Sequence, residues 1–168
     1  VSPQPDQPRH TALGPARTGI RGSLLGAVLA LGVNLVIQLA DWGEEPAGTP
    51  YPGPINGVIY AIVPFVWIGL FAAMGTAMLR LRAQGLPRQA LAVGVLLANC
   101  ALYPVYTLGF TSRELGLAGN GLTAVLAAFA IGTMVERAPR LALLLLPVIV
   151  WVSLASVGLV AVMTGRTF

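Results

Sequence analysis

Residues 141–165, LALLLLPVIVWVSLASVGLVAVMTG, contain no charged side chain. Crossing the hydrocarbon core of a bilayer takes about 20 apolar residues in a helix, so this run is long enough to span a membrane. It is not uniform. Pro147, Trp151, Ala155 and Gly158 follow steps of four, four and three, which set them on one helix face. Such a face either packs against another helix or forms one wall of a binding site.

Four more uncharged runs precede it, at 22–40, 46–79, 89–112 and 115–135. The second opens with PAGTPYPGPING (46–57), which is turn chemistry, so its helix is expected to begin near Ile55. Helices are therefore predicted over about 22–40, 55–79, 89–111, 115–135 and 141–164. Of the 168 residues, 56% are hydrophobic and only 10% are charged, against roughly 25% charged in soluble domains. Backbone polar groups inside lipid must be bonded within the protein. The runs are too long and continuous for barrel strands. The predicted fold class is all-α, a polytopic membrane protein built as a five-transmembrane-helix bundle over residues 20–165. Residues 1–19 form a polar, Pro-rich tail, expected to be disordered. The tail lacks the apolar core of a signal peptide, so the first run is expected to be an uncleaved span.

All ten basic residues are arginines, and eight of them (9, 17, 21, 80, 82, 88, 137 and 140) fall on the same side of this topology. Only Arg113 and Arg166 fall on the other, with the acidic loop of Asp41, Glu44 and Glu45. The positive-inside rule then predicts a cytoplasmic N-terminus and an outside C-terminus, in a bacterial inner membrane. The arginines act as topology signals. No basic stripe interleaved with aromatics points to nucleic acid.

Composition also excludes chemistry. Cys100 and His10 are the sole residues of their types, which removes intrachain disulfides, Cys- or His-built metal sites and Ser-His-Asp catalysis within the membrane. The span interiors carry no charged side chain, so a proton relay has no parts. Glu114 and Glu136 stand at loop edges, and GLAGNG (116–121) lacks the strand and spacing of a dinucleotide fingerprint. It fits the start of the fourth helix.

The polar residues left inside the spans are informative. Asn34 and Gln38 share a face of the first helix, and Asn99 lies mid-span in the third. These amides either bond helix to helix or face a ligand. Tyr60, Pro64, Trp67 and Phe71 form a stripe in the second helix, and Asn99, Tyr103, Tyr106 and Phe110 form one in the third. With the Pro147–Trp151–Ala155 face they could surround an apolar pocket with few polar handles. Helix packing and interface anchoring account for the same spacing. Pro64, Pro104 and Pro147 each remove a backbone hydrogen bond and can open space between helices. Gly22-xxx-Gly26 and Gly94-xxx-Ala98 are close-packing patterns that would permit a homodimer.

At these residues the chain resembles the TspO/MBR family, the tryptophan-rich sensory proteins related to the mitochondrial translocator protein. In LLPVIVWVSLAS, Pro147, Trp151, Val152, Ser153 and Ala155 match the family pattern. In VWIGLFAAMG, Val66, Trp67, Leu70, Met74 and Gly75 match, with Phe71 for tyrosine. In ANCALYPVYT, Asn99 and Pro104 are kept. The chain departs from the pattern in having only Trp42, Trp67 and Trp151. Leu102 or Tyr103 stands where the third helix usually carries tryptophan, and Leu159 stands for an asparagine.

The resemblance implies a cavity inside the bundle, with the first loop as lid (Trp42 and Tyr51). Its ligands would be tetrapyrroles such as protoporphyrin or haem, or sterol-like lipids, with no required cofactor and no metal. The expected ligand-binding residues are Trp67, Phe71, Asn99, Tyr103, Pro104, Trp151 and Ala155. The leading expectation is a non-enzymatic sensor or transporter of a hydrophobic small molecule in contact with membrane lipid. The alternative is a small structural subunit that binds a membrane-complex partner and no ligand. Porphyrin breakdown dependent on Trp67 or Trp151 ranks third.

Overall fold

The computed structural model describes residues 14–42, 53–110 and 112–165, and these residues are helical with no strand among them. Five helices are long and apolar enough to cross a membrane. They are α1 (Pro15–Leu39), α2 (Gly53–Ala83), α3 (Pro87–Gly109), α4 (Arg113–Met134) and α5 (Pro139–Met163). The candidate spans run from 22 to 25 residues, about 33–38 Å at 1.5 Å per residue, enough for the ~30 Å hydrocarbon core. Leu24, Val28, Leu31, Phe65, Leu91, Val125, Phe129 and Leu154 are exposed on the outside, as a bundle solvated by lipid requires.

The chain begins α1 at Pro15, inside the stretch assigned to the tail. Proline suits a first helical turn because its missing N–H would have no partner there. Arg17 and Arg21 are exposed at this helix end, where long side chains can reach polar surroundings.

Short turns join α2 to α3 and α4 to α5. The first is a Schellman closure: Leu86 N–H donates to the Leu81 carbonyl (2.9 Å), Gly85 N–H donates to Arg82 (3.2 Å), and Gly85 has φ +73°. Asp41 ends α1 in the same way with φ +54°, and Trp42 N–H donates to Ile37 (3.1 Å). Ser112 caps α4 by accepting from Leu115 N–H at 3.2 Å. Pro139 is the first residue of α5.

Neighbours in sequence are neighbours in space. α1 packs along α2, α2 on α3, α3 on α4 and α4 on α5, and the first turns of α5 return to α2. The α1–α2 contact is backbone on backbone. A Cβ on Gly22 would lie 2.5 Å from the Gly75 carbonyl oxygen, and one on Gly26 would collide with the Phe71 carbonyl. Ser23 and Thr76 share a 2.7 Å hydrogen bond beside it. The Gly22-xxx-Gly26 face is thus occupied by α2 of the same chain. The core beneath is formed by Phe71, Met74, Leu81, Val93, Leu96, Met134, Leu145 and Val148.

Two prolines change helix geometry. Beyond Pro104, residues Val105–Gly109 are π-helical. Proline offers no N–H and crowds the preceding turn, and the Thr107 hydroxyl donates to the Tyr103 carbonyl at 2.7 Å. Upstream of Pro147, Leu143–Leu145 tighten to a 3-10 turn. Leu146 N–H reaches the Leu143 carbonyl, the group that Pro147 leaves without its usual donor.

Candidate functional site

Helix register brings the stripe residues of α2 and α3 together. The Trp67 ring lies 5.9 Å from Phe71 and 5.5 Å from Tyr103 (centroid to centroid), and Tyr103 lies 5.4 Å from Tyr106. These separations are typical of favourable edge and tilted aromatic pairs. Phe71 is fully buried, and Trp67, Tyr103 and Tyr106 are half-buried.

The polar edge of this row is closed by α4. Tyr103 Oη donates to Asn120 Oδ1. Tyr106 Oη donates to Asn99 Oδ1 at 3.3 Å, and Asn99 Nδ2 donates to Thr123 Oγ1 at 2.9 Å. Thr123 in turn donates to the Gly119 carbonyl at 2.8 Å. Asn120 and Thr123 are buried. In a low-dielectric interior such a chain must be satisfied internally or it is costly. Gly119 makes room for it, since a Cβ there would collide with the Tyr106 ring.

Asn120 and Thr123 were not legible as site residues. They lie three apart on α4, within or just after the glycine-rich GLAGNG, and a mid-span amide was the signal that could have found them. Asn99 does cross to another helix, but Asn34 does not. Its amide donates to the Ala30 carbonyl of its own helix at 2.9 Å, and Gln38 is exposed. Asn120→Leu leaves the Tyr103 hydroxyl without its acceptor. It is expected to cost about 1 kcal/mol, as interhelical bonds in membranes do. Faster labelling of the buried Cys100 by a thiol-reactive dye on heating would register this loss.

Trp151 belongs to a different part of the molecule. It is half-buried and lines a shallow, apolar groove of about 460 Å3 between α2 and α5. Val66 and Leu70 form the α2 wall, and Leu143, Leu146, Pro147 and Val150 complete the α5 wall. The groove opens beside the 3-10 turn and Pro147. Val66 and Trp67 are adjacent in sequence but about 100° apart around the helix, so Val66 lines the groove while Trp67 meets Tyr103. Pro104 is buried at the end of the regular α3 turns, and Ala155 is exposed one turn beyond Trp151. The expected site residues are therefore divided between an aromatic–amide seam and an open groove.

Of the lid residues, Trp42 is half-buried against the π-helical end of α3, where a Cβ on Gly109 would sit 3.3 Å from its ring. Tyr51 and the side chain of Tyr60 lie outside the described residues. Among the described residues no group of three metal-ligating side chains comes together.

Five packed helices, each long and apolar enough to cross a membrane, define a polytopic integral membrane protein. The TspO/MBR family model matches residues 56–163, from the first turn of α2 to the end of α5. The match covers more than half of the chain, and the chain belongs to the TspO/MBR family. No curated protein and no solved structure matches it.

Proposed function

We propose that the protein binds a flat hydrophobic ligand, a tetrapyrrole such as protoporphyrin or haem or a sterol-like lipid, and uses it in sensing or transport. The observation that carries this is the α2–α5 groove with Trp151 in its wall. Its volume of about 460 Å3 falls within the few hundred to 1,000 Å3 usual for small-molecule sites. Its lining is apolar, and it opens where a membrane-dissolved ligand would arrive. Pro147 and Trp151 line one face, and Ala155 lies one turn beyond it. Trp67, Phe71, Asn99, Tyr103 and Pro104 belong to the separate aromatic–amide seam and would act on the ligand only through the α2 helix they share or pack against. The role is non-enzymatic. The arginine distribution supports a cytoplasmic N-terminus in a bacterial inner membrane.

Titration of the purified protein with protoporphyrin should quench tryptophan fluorescence saturably, and Trp151→Phe should remove most of the quenching. Quenching that stays linear in ligand, or is unchanged in the variant, would remove the groove from consideration. Light-dependent loss of bound porphyrin that requires Trp67 or Trp151 would instead support the enzymatic reading.

The competing reading, a structural subunit without ligand, is favoured by a separate observation. Ala118, Gly121, Ala128 and Gly132 are all exposed on α4, a small-residue face of the kind that lets membrane helices approach closely. Stoichiometric co-purification of another membrane protein in mild detergent would support it.

A further inference from the structure

Arg80 lies in the last turn of α2, and its Nε is buried without a hydrogen-bond partner. The Nε–Nη2 edge of its guanidinium is packed against α1 at Gly19. A Cβ there would be 2.6 Å from Nη2, 2.9 Å from Nε and 3.1 Å from Cζ. Glycine at position 19 is what opens this seat. One turn deeper, the Ser23 and Thr76 hydroxyls are bonded to each other, and Thr76 also donates to the Gly19 carbonyl, so neither hydroxyl is directed at the guanidinium.

Among the described residues, the charges at this end of the bundle are mostly positive. Arg17 and Arg21 flank Gly19 by two residues on either side, and both are exposed. Arg82, Arg88, Arg137 and Arg140 lie at the same helix ends. Of the acids among the described residues, Asp41 and Glu114 are at the opposite end, and only Glu136, in the α4–α5 turn, shares this one. A guanidinium N–H buried without a hydrogen-bond partner is costly. A guanidinium is best satisfied by a planar, two-oxygen contact to phosphate or carboxylate. The last turn of a transmembrane helix lies at the depth where lipid phosphates are found.

We propose that the α1–α2 seam at Gly19 and Arg80 is a seat for a phosphate group, supplied by an anionic phospholipid headgroup or by a free phosphate ion, with Arg17 and Arg21 as flanking contacts. This site is separate from the α2–α5 groove and does not depend on the ligand proposed there.

The test is native mass spectrometry of the full chain in mild detergent, with equal amounts of phosphatidylglycerol and phosphatidylcholine, with and without millimolar inorganic phosphate. The wild type should retain phosphatidylglycerol over phosphatidylcholine by at least about fivefold, the increment one near-surface arginine gives. Arg80→Gln should lower the ratio about fivefold, and Arg82→Gln should leave the Arg80 contribution in place. Gly19→Ala keeps every charge but puts a methyl where the guanidinium lies, and should lower the ratio severalfold. It also serves if Arg80→Gln does not fold. Phosphatidylglycerol that resists displacement by phosphate identifies a lipid seat. Phosphate adducts that disappear in Arg80→Gln, without lipid preference, identify a free-anion seat. A wild type with neither preference, or one whose preference persists in both Arg80→Gln and Gly19→Ala, overturns the proposal.

Discussion

Gly26→Leu is expected to abolish the α1–α2 seam and to leave little folded protein. A side chain at position 26 would run into the Phe71 carbonyl, which is backbone and cannot rotate away. The helices would have to separate, breaking the reciprocal Gly22–Gly75 contact and the Ser23–Thr76 hydrogen bond together. Overpacking of a tight core costs about 1–3 kcal/mol, and a backbone collision belongs at the upper end. The measurement is the melting midpoint from labelling of Cys100, the sole cysteine, which is buried and reacts only as the bundle opens. Gly32→Leu is the matched control, because position 32 is exposed and a Cβ there meets nothing. Equal midpoints for the two variants would show that the seam does not hold the bundle together.

The second large effect concerns the groove. Val150 lines it but is 57% exposed, so Val150→Trp can fill the open space without disturbing the core. The expected result is loss of protoporphyrin affinity by at least about tenfold, or about 1.4 kcal/mol, with an unchanged Cys100 melting midpoint. The ligand's own Soret absorbance should be followed, so that the added tryptophan does not enter the signal. Undiminished affinity would move the ligand away from the groove, and Tyr103→Leu, which empties part of the Trp67–Tyr103 seam, would then become the more informative variant.

The two experiments probe different products of the same composition. Glycine on a transmembrane helix permits close approach, and what approaches decides its role. Gly22 and Gly26 are consumed by α2 within the chain. Gly121 and Gly132 face outward with open space around them. Proline behaves similarly. Pro104 precedes a π-helical stretch in α3 that carries Tyr106 towards Gly119, while Pro147 follows a 3-10 turn and lines the groove.

The all-α class and the number of helices long and apolar enough to span a membrane were determined by the sequence alone. These depend on the transfer free energy of a continuous segment, which is additive along the chain and needs no partner. The family was legible in Trp67, Asn99, Pro104 and Trp151 for the same reason, because local patterns carry it. Helix period also put Trp67 with Phe71, and Tyr103 with Tyr106, on shared faces. It could not say what each face meets. Asn99 found Thr123 and Tyr106 while Asn34 turned back on its own helix, and Trp67 found Tyr103 while Trp151 was left beside open space. Only the tertiary structure decided these pairings. They depend on the rotation and separation of helices far apart in sequence, which are set by close contacts such as Gly26 on Phe71.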